Sequence, residues 1–258
     1  MSVHDDLGIR MKTFYEGIPK TKLMRRTPVA IRIDGKAFHT FTKGFKKPFD
    51  EILVKTMQET TQYLCNNIQG CVFGYTQSDE ITLILVDYKE LNTSAWFDYE
   101  VQKLCSITAS MATLAFNRNF MIRVMHEEII NEASEEYIET LKTALNRGAM
   151  FDARCFNIPR EEVTNLIYWR QLDAERNAIQ MVGRAYYSQK ELHGLSCKQI
   201  KDKLFDEKNI AWDTVQNHLR RGTAVVYRNG VWIVDKDMPM LKGEDRAYLN
   251  ERILYKED

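Results

Sequence analysis

The sequence predicts an α+β fold with a ferredoxin-like β-α-β-β-α-β core and a helical C-terminal extension. Three observations predict it. A short β-rich run at 28–33 stops at Asp34-Gly35 and is followed by an amphipathic helical stretch. Two further β-rich runs are separated only by a polar tetrapeptide, the signal of a hairpin. A second helix and a strand at 149–158 complete the order, which is the split βαβ arrangement.

Each element has its own warrant. The run Pro28 to Ile33 is bounded by proline and glycine, as a strand feeding a turn is. From Asp50 to about Asn67, Ile52, Leu53, Met57, Thr61 and Leu64 recur at helical spacing, with Asp50 as N-cap and Pro48 just outside. Residues 71–76 and 81–87 pair around Gln77-Ser78-Asp79-Glu80. A long helix is expected from about Trp96 to Phe116, with small Ser106, Ala109, Ser110 and Ala112 along one face. Pro159 stops the strand at 149–158. Beyond it come an amphipathic helix over 160–186, shorter helical stretches at 196–207 and 211–221, and a hairpin around Asn229-Gly230. No glycine- or serine-rich linker divides the chain. Residues 1–158 therefore read as the core, and 159–258 as a helical extension with a terminal hairpin packed on it.

Composition narrows the function. At 258 residues and 44% hydrophobic, the chain can bury a substantial core and is not a disordered protein. Lys and Arg total 36 and Asp and Glu total 36, so the net charge is zero. That excludes a polybasic, histone-like binder and leaves room for local basic patches. Five cysteines without a C-x-x-C pair argue for reduced thiols in a cytoplasmic protein, and against a zinc site. The first residues, MSVHDDLGIRMK, are polar where a secretion signal would be apolar. The apolar run at 81–86, among the longest, is strand-sized, so no membrane partner is expected.

Two acidic turns carry chemistry. Asp34 follows the first strand, and Asp79 with Glu80 sits at the hairpin tip. In this topology the first strand lies beside the hairpin, so the carboxylates can converge as ligands for a hard divalent cation. Two such ions can clamp an in-line phosphoryl or nucleotidyl transfer. Gly35 lets the backbone approach closely, and Lys36, Ala37, Phe38 and His39 can then offer successive N–H groups to a triphosphate. Lys43, Lys46 and Lys47 add positive charge nearby. Each piece has a plainer reading. Asp-Gly and Ser-Asp-Glu are common turn chemistry, His39 suits packing or capping, and the glutamates between 127 and 139 suit a solvated helix face.

The segments RIDGKAFHTF (32–41), KKPFD (46–50), GYTQSDE (74–80), QKLCSITAS (102–110), FDARCF (151–156) and WRQLDAERN (169–177) resemble the histidine-tRNA guanylyltransferase superfamily. The likeness is closest to its Thg1-like branch and spans nearly the whole chain in order. The resemblance implies a polymerase-palm-like core that extends the 5′ end of tRNA in the 3′-to-5′ direction. ATP or GTP first activates a 5′-monophosphate, and the 3′-hydroxyl of an incoming nucleotide then displaces the activating nucleotide. It implies two Mg²⁺ ions at Asp34, the Gly35 carbonyl and Asp79, with Glu80 in support. It implies nucleotide contacts from Gly35 to His39, Lys47, Asp50, Ser78 and Lys103, with Asp50 at the guanine edge. Ser106 and Ser110 also fall within motifs, where helix packing explains them equally well.

The resemblance further implies tRNA contacts. Arg32 is placed for the activated 5′ end, and Arg25, Arg26, Arg170, Arg176 and Asn177 are candidates for the rest. Trp169 suits either a core anchor or an RNA contact. Eukaryotic members carry His-Ile-Asn-Asn where this chain has Glu175-Arg176-Asn177-Ala178, which favours template-dependent repair of 5′-truncated tRNA over dedicated guanosine addition to histidine tRNA. A homotetramer is implied as well. A nucleotidyl cyclase and a non-catalytic tRNA-binding protein are the readings of other classes.

Overall fold

The computed structural model describes residues 6–130 and 133–254. Its strands are β1 (Val29–Gly35), β2 (Cys71–Gln77), β3 (Glu80–Leu85), β4 (Phe151–Asn157), β5 (Thr223–Arg228) and β6 (Val231–Asp235). The longer helices are α1 (Glu51–Asn67), α2 (Val101–Ile130), α3 (Glu135–Arg147), α4 (Arg160–Tyr186) and α5 (Cys197–Lys208). The strands form one six-stranded sheet in the order β4-β1-β3-β2-β5-β6, antiparallel throughout. Its first four strands are the ferredoxin-like order expected from the sequence.

Alternation along the strands builds a core on each face. Ile31, Ile33, Leu83 and Leu85 face α1, α2 and α3, where Leu64, Phe116, Phe120 and Leu141 complete the packing. Ala30, Phe73 and Ile84 face α4 and the C-terminal segment, through Val163, Ile167 and Leu249. A third cluster joins the end of α4 to α5 through Ile179, Val182, Ile200 and Leu204.

Three expectations need correcting. The helix placed at 96–116 is α2, which runs on to Ile130. Phe120 and Val124 continue its buried stripe, and the Asn117 amide holds both the N–H and the C=O of Ala149. Trp96–Tyr99 is a separate 3-10 turn, in which Phe97 and Asp98 take left-handed backbone angles. The 211–221 stretch breaks into Trp212–Thr214 and Asn217–Arg221. The glutamate-rich stretch is solvated helix surface, as expected, shared between the end of α2 and α3, where Glu128, Glu135, Glu136 and Glu139 are exposed; Glu132 lies outside the described residues. Finally, the terminal hairpin is not laid on the core. β5 pairs with β2, so the hairpin satisfies that edge and extends the sheet.

Candidate active site

β1 delivers Asp34 to one end of the sheet, where it faces Glu80 on β3 and Asp152 on β4 in register. The tip of the β2–β3 hairpin folds over beside it, and the Gly35 N–H donates to the Asp79 carbonyl at 3.1 Å. The two acidic turns singled out from the sequence therefore meet. Burial pushes the Asp79 carboxyl above the usual aspartate range, and the charges of Asp34 and Glu80 push the same way. The Ser78 hydroxyl opposes this by donating to Asp79 Oδ1 at 3.0 Å.

Glu80 is in a different state. Arg32 donates to its Oε1 from Nε at 3.1 Å and from Nη2 at 2.7 Å. Arg170 reaches down from α4 to its Oε2 at 2.7 Å and is itself only 4% exposed. Both oxygens are thus claimed, and Glu80 organises the site rather than offering a free base. The indole of Trp169 lies over this cluster, 4.5 Å from the Arg170 guanidinium carbon and 5.5 Å from that of Arg32. Arg32 and Arg170, expected at the tRNA, are here the counter-ions of Glu80. Asp173 continues the network by accepting from Arg170 at 2.8 Å and from Arg176.

The loop after β1 is more committed than the sequence suggests. The Gly35 and Lys36 N–H groups are both spent, the latter on the Met150 carbonyl at 2.8 Å. The donors left for a phosphate are those of Ala37, Phe38 and His39, entering the one-turn helix Phe38–Phe41. The Phe38 ring is buried among Phe41, Phe116 and Phe151, so it anchors the loop. Lys36, His39 and Lys47 are exposed. Asp50 is buried as the α1 cap, accepting from Leu53 N at 3.1 Å, Lys46 N at 3.0 Å and the Tyr137 hydroxyl at 2.6 Å. Burial, followed by that contact, raises the Tyr137 phenol well above its ordinary value.

Other residues fall elsewhere. Lys103 sits near the start of α2, beside Phe97 and 3.8 Å from Glu100. That is the far end of the sheet, because Cys105 meets Cys155 on β4 while Thr113 meets Phe151. The Arg25 guanidinium and the backbone N–H of Arg26 donate to Asp87 there at 2.7 Å and 2.9 Å, below the N-terminal end of β1. Asn177 instead lines a cleft of about 90 Å³ next to the Ser78-Asp79 turn, with Asp50, Met57, Ser78, Met181 and His218. Asp152 and, in the cleft wall, Met181 and His218 were not singled out from the sequence. FDARCF carried the only signal for Asp152, and its carboxylate is shared with Arg154 at 3.4 Å.

Asp34, Asp79 and the Gly35 carbonyl are hard oxygen donors, and a divalent cation would offset the burial of the Asp79 carboxylate and the smaller repulsion from Asp34 and Glu80. Among the described residues no group of three or more His, Cys, Asp or Glu forms a complete cage. An incomplete set suits Mg²⁺, which retains water and takes substrate phosphates as further ligands. The residues fit that ion.

The sequence profile of the Thg1 family, described as tRNAHis guanylyltransferase, matches residues 9–159. A bacterial tRNA(His) guanylyltransferase (Thg1)-like protein in complex with ATP superposes with a TM-score of 0.82 at 38% identity, covering 96% of this chain and 99% of that one. Such a protein in complex with GTP superposes at 0.76 with 36% identity, over 96% and 99%. An uncharacterised protein of Acanthamoeba polyphaga mimivirus is 31% identical over 83% of this chain and 74% of its own. A probable tRNA(His) guanylyltransferase of Dictyostelium discoideum is 24% identical over 88% and 85%.

Proposed function

Since the chain belongs to the tRNAHis guanylyltransferase (Thg1) family, we propose that it is a nucleotidyltransferase that repairs 5′-truncated tRNA by template-dependent 3′-to-5′ nucleotide addition. The observation that carries the reading is the meeting of Asp34 with the Ser78-Asp79 turn beside a cleft, in a fold shared with proteins that bind ATP and GTP. Magnesium ions held by Asp34, Asp79 and the Gly35 carbonyl would supply positive charge to the attacked phosphate and the oxygens around it.

The chain's own residues do the positioning. The Ala37–His39 amides and Lys47 receive the triphosphate, and the cleft beside Ser78 takes the base. The Glu80 cluster holds β1, β3 and α4 in fixed relation, so that the carboxylates stay aligned while two phosphate-bearing substrates enter. Repair is favoured over dedicated guanosine addition by the place of Glu175, which stands where eukaryotic relatives carry histidine. Its carboxylate accepts from the Trp212 indole N–H at 3.0 Å and is occupied within the protein. A cytoplasmic homotetramer completes the reading; among the described residues, no helix is long and apolar enough to cross a membrane.

The test incubates the protein with Mg²⁺ and each labelled nucleoside triphosphate, using intact histidine tRNA and several tRNAs lacking their first nucleotide. Incorporation that follows the opposing base of the acceptor stem is expected. Non-templated G on histidine tRNA alone would assign the dedicated guanylyltransferase instead. Free cyclic nucleotide would assign a cyclase, and tRNA binding without product a non-catalytic role.

A further inference from the structure

Of the chain's four tryptophans, only Trp169 is exposed. It projects from α4 with 51% of its surface in water, so it is not a core anchor. What it touches is charged. The Arg170 and Arg32 guanidiniums approach the indole at 4.5 and 5.5 Å, and both are tied to the one Glu80 carboxylate. Ionic contacts thus hold the ring in place while half of the residue stays open. A fixed, half-open aromatic surface of this size is suited to a flat ligand.

The position of the ring says which ligand. Ala30 packs towards α4, so Arg32 and Asp34, at two-residue spacing on β1, share that face of the sheet. Trp169 over Arg32 therefore stands about 7 Å along the strand from the Asp34 position. The cleft assigned above to the nucleotide base lies the other way. It is lined by Thr76 and Gln77 of β2 and by Ser78, and β3 separates β2 from β1. Joining a nucleotide to a chain end needs a substrate on each side of the reacting phosphate. With the nucleotide on the β2 side, the polynucleotide enters over β1, past Trp169. Cations flank that approach. Arg154 lies opposite Arg32 on β4 and is exposed. Arg176 follows Trp169 by seven positions, two turns along the same face of α4, and is exposed as well.

We infer that Trp169 is a stacking platform for the acceptor end of the RNA, receiving the unpaired base opposite the missing first nucleotide. It is a positioning residue, since it holds the template and touches no reacting atom. Stacking accepts any of the four bases because each has a π-face, which suits templates that differ from one tRNA to the next. The inference rests on the reaction proposed above, and its test reads binding apart from catalysis so that the two can fail separately.

The experiment titrates the protein into an acceptor-stem hairpin RNA that lacks its first nucleotide and carries 2-aminopurine opposite the gap, with Mg²⁺ and no nucleoside triphosphate. Binding should quench the 2-aminopurine emission. Trp169→Leu should lose the quench and weaken RNA binding by about 5- to 150-fold, the range of one base–aromatic stack, while Trp169→Phe keeps most of both. The ATP affinity of both variants, measured by equilibrium dialysis, should match that of the natural protein. Equal RNA affinity and equal emission with the natural protein and Trp169→Leu would overturn the platform and leave the proposed reaction standing. A loss of ATP affinity alongside RNA affinity in Trp169→Leu would overturn it too, by assigning the ring to the upkeep of the Glu80 cluster. An RNA that the natural protein does not bind at all would remove the proposed function and this inference with it.

Discussion

Arg170 reaches from the middle of α4 to Glu80 at the start of β3 and joins them by a 2.7 Å ion pair that is almost wholly out of water. It ties the C-terminal part of the chain to the strand that follows the Ser78-Asp79 turn. Removing Arg170 leaves Glu80 Oε2 buried without a partner while Arg32 still holds Oε1, so the loss should lie at the low end of the about 3–5 kcal/mol that a wholly stranded buried charge costs. Arg170→Met is therefore expected to lower the unfolding free energy by about that amount in urea denaturation. Adding Glu80→Gln should restore part of the loss, since contacting residues couple by about 0.5–3 kcal/mol. Strictly additive losses would show that the two residues act separately.

Asp79 stands against folding at neutral pH. Its carboxyl is raised by burial and by Asp34 and Glu80, so the folded state binds the proton more readily than the unfolded chain. From this group alone, stability falls as pH rises from the ordinary aspartate value through the raised one, and the penalty is complete above it. Asp79→Asn should therefore melt higher than the natural protein at pH 7, with the gap closing in acid. The same variant, like Asp34→Asn, should lose more than about 100-fold of nucleotide incorporation, the scale on which disturbed metal sites fail. Added Mg²⁺ should raise the melting temperature of the natural protein and leave both variants unmoved. Equal Mg²⁺ stabilisation of all three proteins would place the ion elsewhere.

This part of the site was legible because turns announce themselves. Asp34-Gly35 and Ser78-Asp79-Glu80 sit where β-rich runs stop, and the ferredoxin-like order alone puts the two strands side by side. What stayed hidden depends on contacts between residues far apart in the chain. Arg32 and Arg170 read as free cations until the fold places both on Glu80. Asp50 reads correctly as the cap of its helix, but its further partner Tyr137, 87 positions later, could not be read. Lys103 lies in a motif beside the others, yet the direction of α2 carries it to the opposite end of the sheet. The join of β5 to β2 was unreadable for a related reason. An edge strand's open hydrogen bonds have no sequence signature that names their partner.

Gly35 is required for space. A Cβ at this position would lie 2.2 Å from Cδ2 of the Phe38 ring, which is fixed by Phe41, Phe116 and Phe151 at centroid distances of 5.1, 5.5 and 5.2 Å. Gly35→Ala must push the ring outward and carry the Ala37–His39 amides with it. Overpacking of this kind costs about 1–3 kcal/mol, and the displaced amides should raise the KM for the nucleoside triphosphate more than the KM for tRNA. Gly35→Ala/Phe38→Leu, which makes room, should recover stability in thermal melts. If the double variant is no more stable than the single one, the clash is not the reason for the glycine.

Ser78 serves two ends that substitution can separate. Its φ of 50° lies in the left-handed region that an ordinary side chain occupies at a cost of about 1–2 kcal/mol. Its hydroxyl meanwhile holds Asp79 Oδ1 and moderates the rise in that carboxyl's pKa. Ser78→Gly removes the strain and the hydroxyl together, so it should unfold at higher urea concentration while losing activity. Ser78→Ala keeps the strained backbone and loses only the hydrogen bond, so activity should fall without any gain in stability. In both variants the acid limb of the pH–rate profile should move upward, because Asp79 then holds its proton to a higher pH. An unmoved acid limb in Ser78→Ala would mean that the serine shapes the turn and leaves the carboxylate alone.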